Sequence, residues 1–318
     1  MKKLIIATRA SKLALWQSNH IKAELEKAHP GLSVELKPIK TTGDKILDTP
    51  LALIGGKGLF TKELEEDMLS GGSHMAVHSL KDVPTKFPEG LVLAAVTKRE
   101  DPRDCFLSFK YESIDALPKG AVVGTTSLRR RMQLMEIRND LTIKDLRGNI
   151  DTRLRKLEDG EFDAIILATA GIKRLGLIEN VKYASPVDVE LMTPAMGQAA
   201  LGIESIDDDE VIELLSVLND DDSEVETTIE RDFVDTLEGG CQVPIGINAK
   251  LDGELVTVNA IIGMPDGSKS MKKCITASVE DFLEIGEELA NDFLADGARE
   301  LLEAACAMGE NILKHKSN

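Results

Sequence analysis

Short apolar runs alternate with amphipathic runs through the first half of the chain, and the alternation occurs twice. Residues 4–8 read as a strand and 12–28 as a helix closed by Pro30-Gly31; 34–39 read as a second strand. A helix is predicted over 60–69, ended by Gly71-Gly72, with strands at 75–78 and 91–96. The pattern then restarts: strand 121–123, helix 127–138, strand 142–146, helix 149–158, strand 164–168. Strands that alternate with helices at this spacing imply parallel α/β layers. Two such series imply two domains, with a crossing near Asp101-Pro102. A helix is predicted over 224–237, followed by strands near 245–250, 255–262 and 270–277 and by helices from Val279 onward. Asp252-Gly253 and Pro265-Asp266-Gly267 are hairpin signals between those strands. This part reads as a small α+β domain, and 318 residues leave room for two to three domains.

The formal charge of −17 argues against a nucleic-acid binder and against docking on an anionic membrane. An aromatic content of 3% leaves too few rings for stacking single-stranded bases. The charge is uneven. An acidic excess over 204–238 reads as solvated helix faces and a linker. Residues 129–155 are locally basic, and cations kept together inside an acidic protein point to an anionic ligand. The apolar run after Met1-Lys2-Lys3 stops at Arg9, short of a signal-peptide core, and no stretch approaches the ~18 apolar residues of a membrane span, so the expected location is the cytoplasm.

Cysteines stand at 105, 241, 274 and 306, without a paired spacing that would suggest a disulfide framework or a zinc site. Cys241 lies in Leu237-Glu238-Gly239-Gly240-Cys241-Gln242-Val243-Pro244, between a helix and a strand. A lone thiol on a glycine loop is a nucleophile, a covalent attachment point or a passive buried residue. His74 and His78 are four apart on a predicted strand, which does not suit a metal pair. Gly55-Gly56-Lys57-Gly58 lacks phosphate-loop spacing and reads as a mobile loop over a cleft.

His78-Ser79-Leu80-Lys81-Asp82-Val83-Pro84 follows a strand directly. Ligands of open α/β sheets bind beyond the carboxyl ends of strands, so Asp82 is either a cleft carboxylate or a turn former before Pro84. Thr125-Thr126-Ser127-Leu128-Arg129-Arg130 opens a helix after another strand, where hydroxyls, free N–H groups and guanidinium forks suit carboxylates or phosphates. Arg147-Gly148-Asn149 with Thr152-Arg153 repeats that arrangement, as does Lys173-Arg174. Arg131, Arg138 and Arg155 lack it and read as surface or ion-pair residues. Two other readings share these features: a non-catalytic anion-binding protein on the same two-lobed fold, which needs the arginines but not Asp82 with Cys241, and a basic nucleic-acid module centred on 129–155.

Taken in order, these motifs resemble the porphobilinogen deaminase (hydroxymethylbilane synthase) family. The resemblance runs from Ala7-Thr8-Arg9 through the 55–60 loop, Lys81-Asp82-Val83-Pro84, Arg99-Glu100-Asp101-Pro102-Arg103-Asp104, Gly124-Thr125-Thr126-Ser127-Leu128-Arg129-Arg130 and Leu146-Arg147-Gly148-Asn149 to Gly239-Gly240-Cys241-Gln242, covering nearly the whole chain. It implies two periplasmic-binding-protein-like (type II) α/β domains around a cleft plus a small C-terminal α+β domain. The expected division is 1–99 with 198–217, then 103–193, then 221–318. It implies a dipyrromethane cofactor on Cys241 by a thioether, built from the substrate. It also implies head-to-tail addition of four porphobilinogens with loss of ammonia, and no metal. Asp82 is then the catalytic carboxylate. Arg9, Ser11, Ser79, Lys81, Thr125, Thr126, Ser127, Arg129, Arg130, Arg147, Arg153, Arg174 and Gln198 are the implied cofactor and substrate contacts, and Lys57 and Phe60 belong to the flexible loop. A monomer is expected. The chain departs from the family at Thr42, where arginine is frequent, at Ser73-His74-Met75, and at Ala199, where Gly-Gln-Gly is usual; the last puts the local backbone geometry in question.

Overall fold

The computed structural model describes residues 1–45, 60–238 and 243–314. Strand β1 (Lys3–Arg9), helix α1 (Lys12–Ala28) and strand β2 (Ser33–Ile39) form the first βαβ unit. Helix α2 (Lys62–Leu69) leads to β3 (Met75–Ser79), a short 3₁₀ turn at Leu80–Asp82 and β4 (Leu91–Val96). The chain crosses to a second lobe: β5 (Asp104–Ser108), β6 (Val122–Gly124), α3 (Leu128–Ile137), β7 (Thr142–Lys144), α4 (Ile150–Glu158), β8 (Ala164–Ala168), α5 (Thr169–Arg174) and β9 (Tyr183–Pro186). It returns as β10 (Leu201–Ile206), followed by α6 (Asp209–Leu215). Helix α7 (Asp221–Thr236), strands β11 (Ile245–Asp252), β12 (Leu255–Gly263) and β13 (Ser270–Ser278), and helices α8 (Phe282–Ala295) and α9 (Ala298–Lys314) make the third domain.

The two five-stranded sheets share one topology, β2-β1-β3-β10-β4 and β7-β6-β8-β5-β9. They are the cores of two α/β domains, and the three-stranded β11-β12-β13 meander belongs to the small α+β domain. The layers are not purely parallel, as the alternation implied. β10 runs antiparallel to β3 and β4, and β5 antiparallel to β8 and β9. Each of these strands is the first after a crossing. A chain arriving from the cleft enters at the carboxyl ends of the parallel strands and must run against them. β5, β9 and β10 were absent from the strand reading. β5 is short and buried throughout, and β10 carries a buried glutamate that breaks its apolar pattern.

The acidic 204–238 stretch is likewise not only solvated surface. Glu204 is buried on β10, 3.0 Å from Nε2 of the buried His78. Glu230 on α7 is wholly buried and ties the third domain to Arg99 of the first and to the second crossing. Its carboxylate accepts from both terminal nitrogens of Arg99 at 2.7 and 3.0 Å, from Gly197 N at 2.7 Å and from Ala249 N at 2.8 Å. Glu226 accepts from Arg99 and from the backbone N–H of Leu251. Removing one partner of such a buried pair costs about 3–5 kcal/mol, because the other charge stays behind without compensation.

Candidate active site

Strand β3 is buried along its length and delivers the 3₁₀ turn to the carboxyl edge of the first sheet. Leu80 anchors the turn from below. It is fully buried, and a Cβ on Gly202 would lie 2.9 Å from its side chain. Val83 N closes the turn on Leu80 O at 3.0 Å, and Pro84 ends it. With both apolar neighbours pulled inward, Asp82 stands exposed, without a hydrogen-bond or ion-pair partner among the described residues. Ser79 accepts from Gln17 Nε2 at 2.9 Å.

The opposite wall is the amino end of α3. Its three hydroxyls, expected to face an anion, also bond the local backbone. Thr125 Oγ1 accepts from Ser127 N, Thr126 Oγ1 donates to Leu146 O at 2.6 Å, and Ser127 Oγ caps the helix by accepting from Arg130 N. Arg129 and Arg130 are buried and converge on Asp104, at 2.8 and 2.7 Å from its two oxygens. Arg129 Nη1 also donates to Thr193 O at 2.6 Å, and Arg130 Nη1 to Ile166 O at 3.1 Å. Both arginines are therefore largely committed to the protein before any ligand arrives. Burial alone would raise the Asp104 carboxyl, but the two guanidiniums outweigh it and hold it well below the usual carboxylate range.

Burial of the Lys81 ammonium pushes its pKa down to about 8; Asp82 and Asp104 oppose that, while Arg130 and Arg129 add to it. Arg153 donates through Nε to Gly148 O at 2.8 Å. Its burial, with Arg130 and Arg147 near, pushes it to about 10 against the pull of Asp82. Arg147 has no hydrogen-bond or ion-pair partner among the described residues. Lys81, Asp82, Asp104, Arg129, Arg130, Arg147 and Arg153 thus share one electrostatic site assembled from two sheets.

Other expected residues lie around it in different roles. Gln198, fully buried at the second crossing, accepts from Lys81 Nζ at 3.2 Å and donates to Asp104 at 2.9 Å. Ser11 caps α1 by accepting from Ala14 N. Arg9 lies over the Phe60 ring at 3.9 Å from its centroid. Arg174 donates to Ala199 O at 2.6 Å and lies 6.0 Å from the Trp16 ring. Lys57, the rest of the 55–58 glycine loop and Cys241 lie outside the described residues. The described chain approaches Cys241 through Glu238 at the end of α7 and leaves it at Val243, ahead of β11. Of the other cysteines, Cys105 is buried in β5, and burial pushes its thiol up to about 12, which makes it a poor nucleophile.

Asp104, Arg231 and Glu230 were not singled out in the sequence. Asp104 stood inside a quoted motif, but nothing local distinguishes an aspartate that opens a strand from a solvated one. Only the folded chain brings two arginines from another element onto it.

Comparison with known proteins follows the same outline. Residues 4–214 match the family domain described as porphobilinogen deaminase, dipyromethane cofactor binding domain, and residues 224–295 match the porphobilinogen deaminase C-terminal domain. Porphobilinogen deaminase of Sulfurimonas denitrificans is 61% identical over 98% of this chain and 100% of its own length. The enzymes of that name from Aliarcobacter butzleri and Nitratiruptor sp. are 60% and 62% identical, each over 96% of this chain and 98% of its own.

Proposed function

The chain belongs to the porphobilinogen deaminase family, and from that premise we propose that Asp82 is its catalytic carboxylate and Cys241 its cofactor attachment point. The enzyme condenses four porphobilinogens head to tail, with loss of ammonia, into hydroxymethylbilane on a dipyrromethane cofactor, a step of tetrapyrrole biosynthesis. The observation that carries the residue assignment is the placement of Asp82, exposed on a rigid turn and facing a field of cations from the other lobe.

The donor set suits a group that bears acetate and propionate side chains. Among the described residues, Asp82 and Asp104 are the counter-charges that act on the cluster of Lys81, Arg129, Arg130, Arg147 and Arg153, and Arg130 Nε is buried without a hydrogen-bond partner there. Charge-assisted contacts to carboxylates are the natural use of that excess. When bound, the dipyrromethane supplies an electron-rich pyrrole carbon as nucleophile. Asp82 donates a proton to the departing amine of the substrate. As a carboxylate it then stabilises the methylene-pyrrole cation left behind, and it takes up the proton that coupling releases. Lys81, Arg147 and Arg153 hold the substrate's carboxylates.

The reading carries a monomeric, cytoplasmic enzyme without a nucleic-acid partner, which the net charge of −17 supports. It also carries the division 1–99 with 198–217, 103–193 and 221–318, which the presence of three separate sheets supports. The test is the intact mass of the purified protein. It should exceed the sequence mass by two porphobilinogens less two ammonias, and Cys241→Ala should remove the excess. An unmodified, fully active protein would overturn the attachment.

A further inference from the structure

Asp104 is wholly buried and never reaches the space open to substrate, yet it sits at the electrostatic centre of the site. Its carboxylate gathers donors from two other elements. Arg129 and Arg130 come from α3, and Gln198 Nε2 from the second crossing, 2.9 Å from Oδ1. The amide of Gln198 has one consistent orientation. Its nitrogen donates to Asp104 and to Pro102 O at 2.7 Å, and its oxygen accepts from Lys81 Nζ. A flipped amide would set NH₂ against an ammonium and an oxygen against two acceptors. Asp104 follows the first crossing between the lobes and Gln198 lies on the second, so the link joins both crossings.

We propose that Asp104 is a positioning residue that couples the arginine wall to the Asp82 turn through Gln198, setting together the aim of Arg129 and Arg130 and the charge of Lys81. This extends the proposed roles of those residues. Two guanidiniums on one carboxylate leave a single net positive charge behind Lys81. Without the carboxylate, Lys81 would face two guanidiniums that Asp104 no longer compensates. Among the described residues, the charges that act on Lys81 are Asp82, Asp104, Arg129 and Arg130, so the loss of Asp104 disfavours its ammonium. Gln198 contributes separately, because its oxygen bonds only the charged form strongly.

The experiment follows the Lys81 side-chain carbon by NMR titration in cofactor-loaded protein, with Lys81→Met used to assign the signal. The wild-type midpoint, near 8 in the absence of bound carboxylates, is the reference for each variant. Asp104→Asn should lower it by about half a unit or more, given a charge acting over several ångströms. Gln198→Leu leaves both arginine pairs in place and should lower it by a smaller amount. Asp104→Ser takes the place of Asp104→Asn if the latter fails to fold. A midpoint unmoved in every folded variant of Asp104, whatever Gln198→Leu does, would reduce Asp104 to a structural ion pair and overturn the proposal. The titration does not depend on turnover. An error in the roles of Asp82 or Cys241 would therefore appear in the mass and rate measurements and leave this result standing.

Discussion

Arg231 on α7 donates a hydrogen bond to the carbonyl oxygen of Pro84, 2.8 Å away. The same nitrogen reaches Thr85 O at 3.2 Å, and Thr85 Oγ1 donates back to Asp235 on α7 at 2.8 Å. One helix therefore grips the segment that follows Asp82 and then runs on to Glu238, just ahead of Cys241. Arg231→Leu should slow turnover by about 10- to 100-fold, the scale expected for a small misplacement of a reacting group. Its intact mass should still show the cofactor, and Arg231→Lys should recover part of the rate. Wild-type turnover in Arg231→Leu would show that the grip does not set the position of Asp82.

Asp82→Asn keeps the shape of the turn and removes the charge. Single-turnover ammonia release by cofactor-loaded protein should fall at least about 100-fold, the low end of general acid–base contributions. Asp82 is exposed and without a partner among the described residues, so the melting temperature should stay close to wild type. Asp82→Glu keeps the charge, displaced by one methylene, and should retain weak activity. A rate within about threefold of wild type in the asparagine variant would leave Asp82 a turn residue only.

Ala199 has φ +81, in the left-handed region that favours glycine. It cannot relax easily, because its carbonyl accepts from Arg174 and its neighbour Gln198 holds the crossing. Ala199→Gly should stabilise the protein by about 0.5–1 kcal/mol, the left-handed penalty less the added chain entropy of glycine. Thermal unfolding should shift upward by roughly 1–3 °C. A fall in melting temperature would mean that the Ala199 side chain contributes packing that outweighs its backbone strain.

Lys81 gives a stability dependence whose sign is fixed. Its folded value, about 8, lies below the ordinary lysine value of 10.5. Between these values the unfolded chain binds more protons than the folded one, so stability from this group rises with pH across that window and is constant below it. Lys81→Met should flatten the pH dependence of denaturant unfolding between pH 8 and about 10 relative to wild type. Parallel curves for the two proteins would show that Lys81 is not desolvated.

Much of the architecture was legible in the sequence because it rests on local periodicity. α1 spans the predicted 12–28, with Ser11 as its cap, and β4 and β8 occupy their predicted residues. The Asp82 turn was legible too, since a buried strand stopped by proline fixes where the next polar side chain emerges. Period and punctuation are properties of neighbouring residues and need no partner elsewhere. β5 and β10 lacked that signal: their character and direction come from the sheet they enter, and their entry from the cleft side reverses them.

The sequence by itself determined the family, the kinds of residue at the site and the excess of cations around Asp82. Only the tertiary structure decided which of those cations are available. Arg129 and Arg130 look equivalent to Arg147 along the chain, but Asp104 claims the first two and leaves Arg147 unpaired among the described residues. Glu226 and Glu230 look like their solvated neighbours on an acidic helix, yet burial against Arg99 makes them a link between the first and third domains and the second crossing. The physical reason is the same in both cases. A charge acts according to its desolvation and to the counter-charge beside it, and both are set by residues up to 131 positions away that only folding brings near.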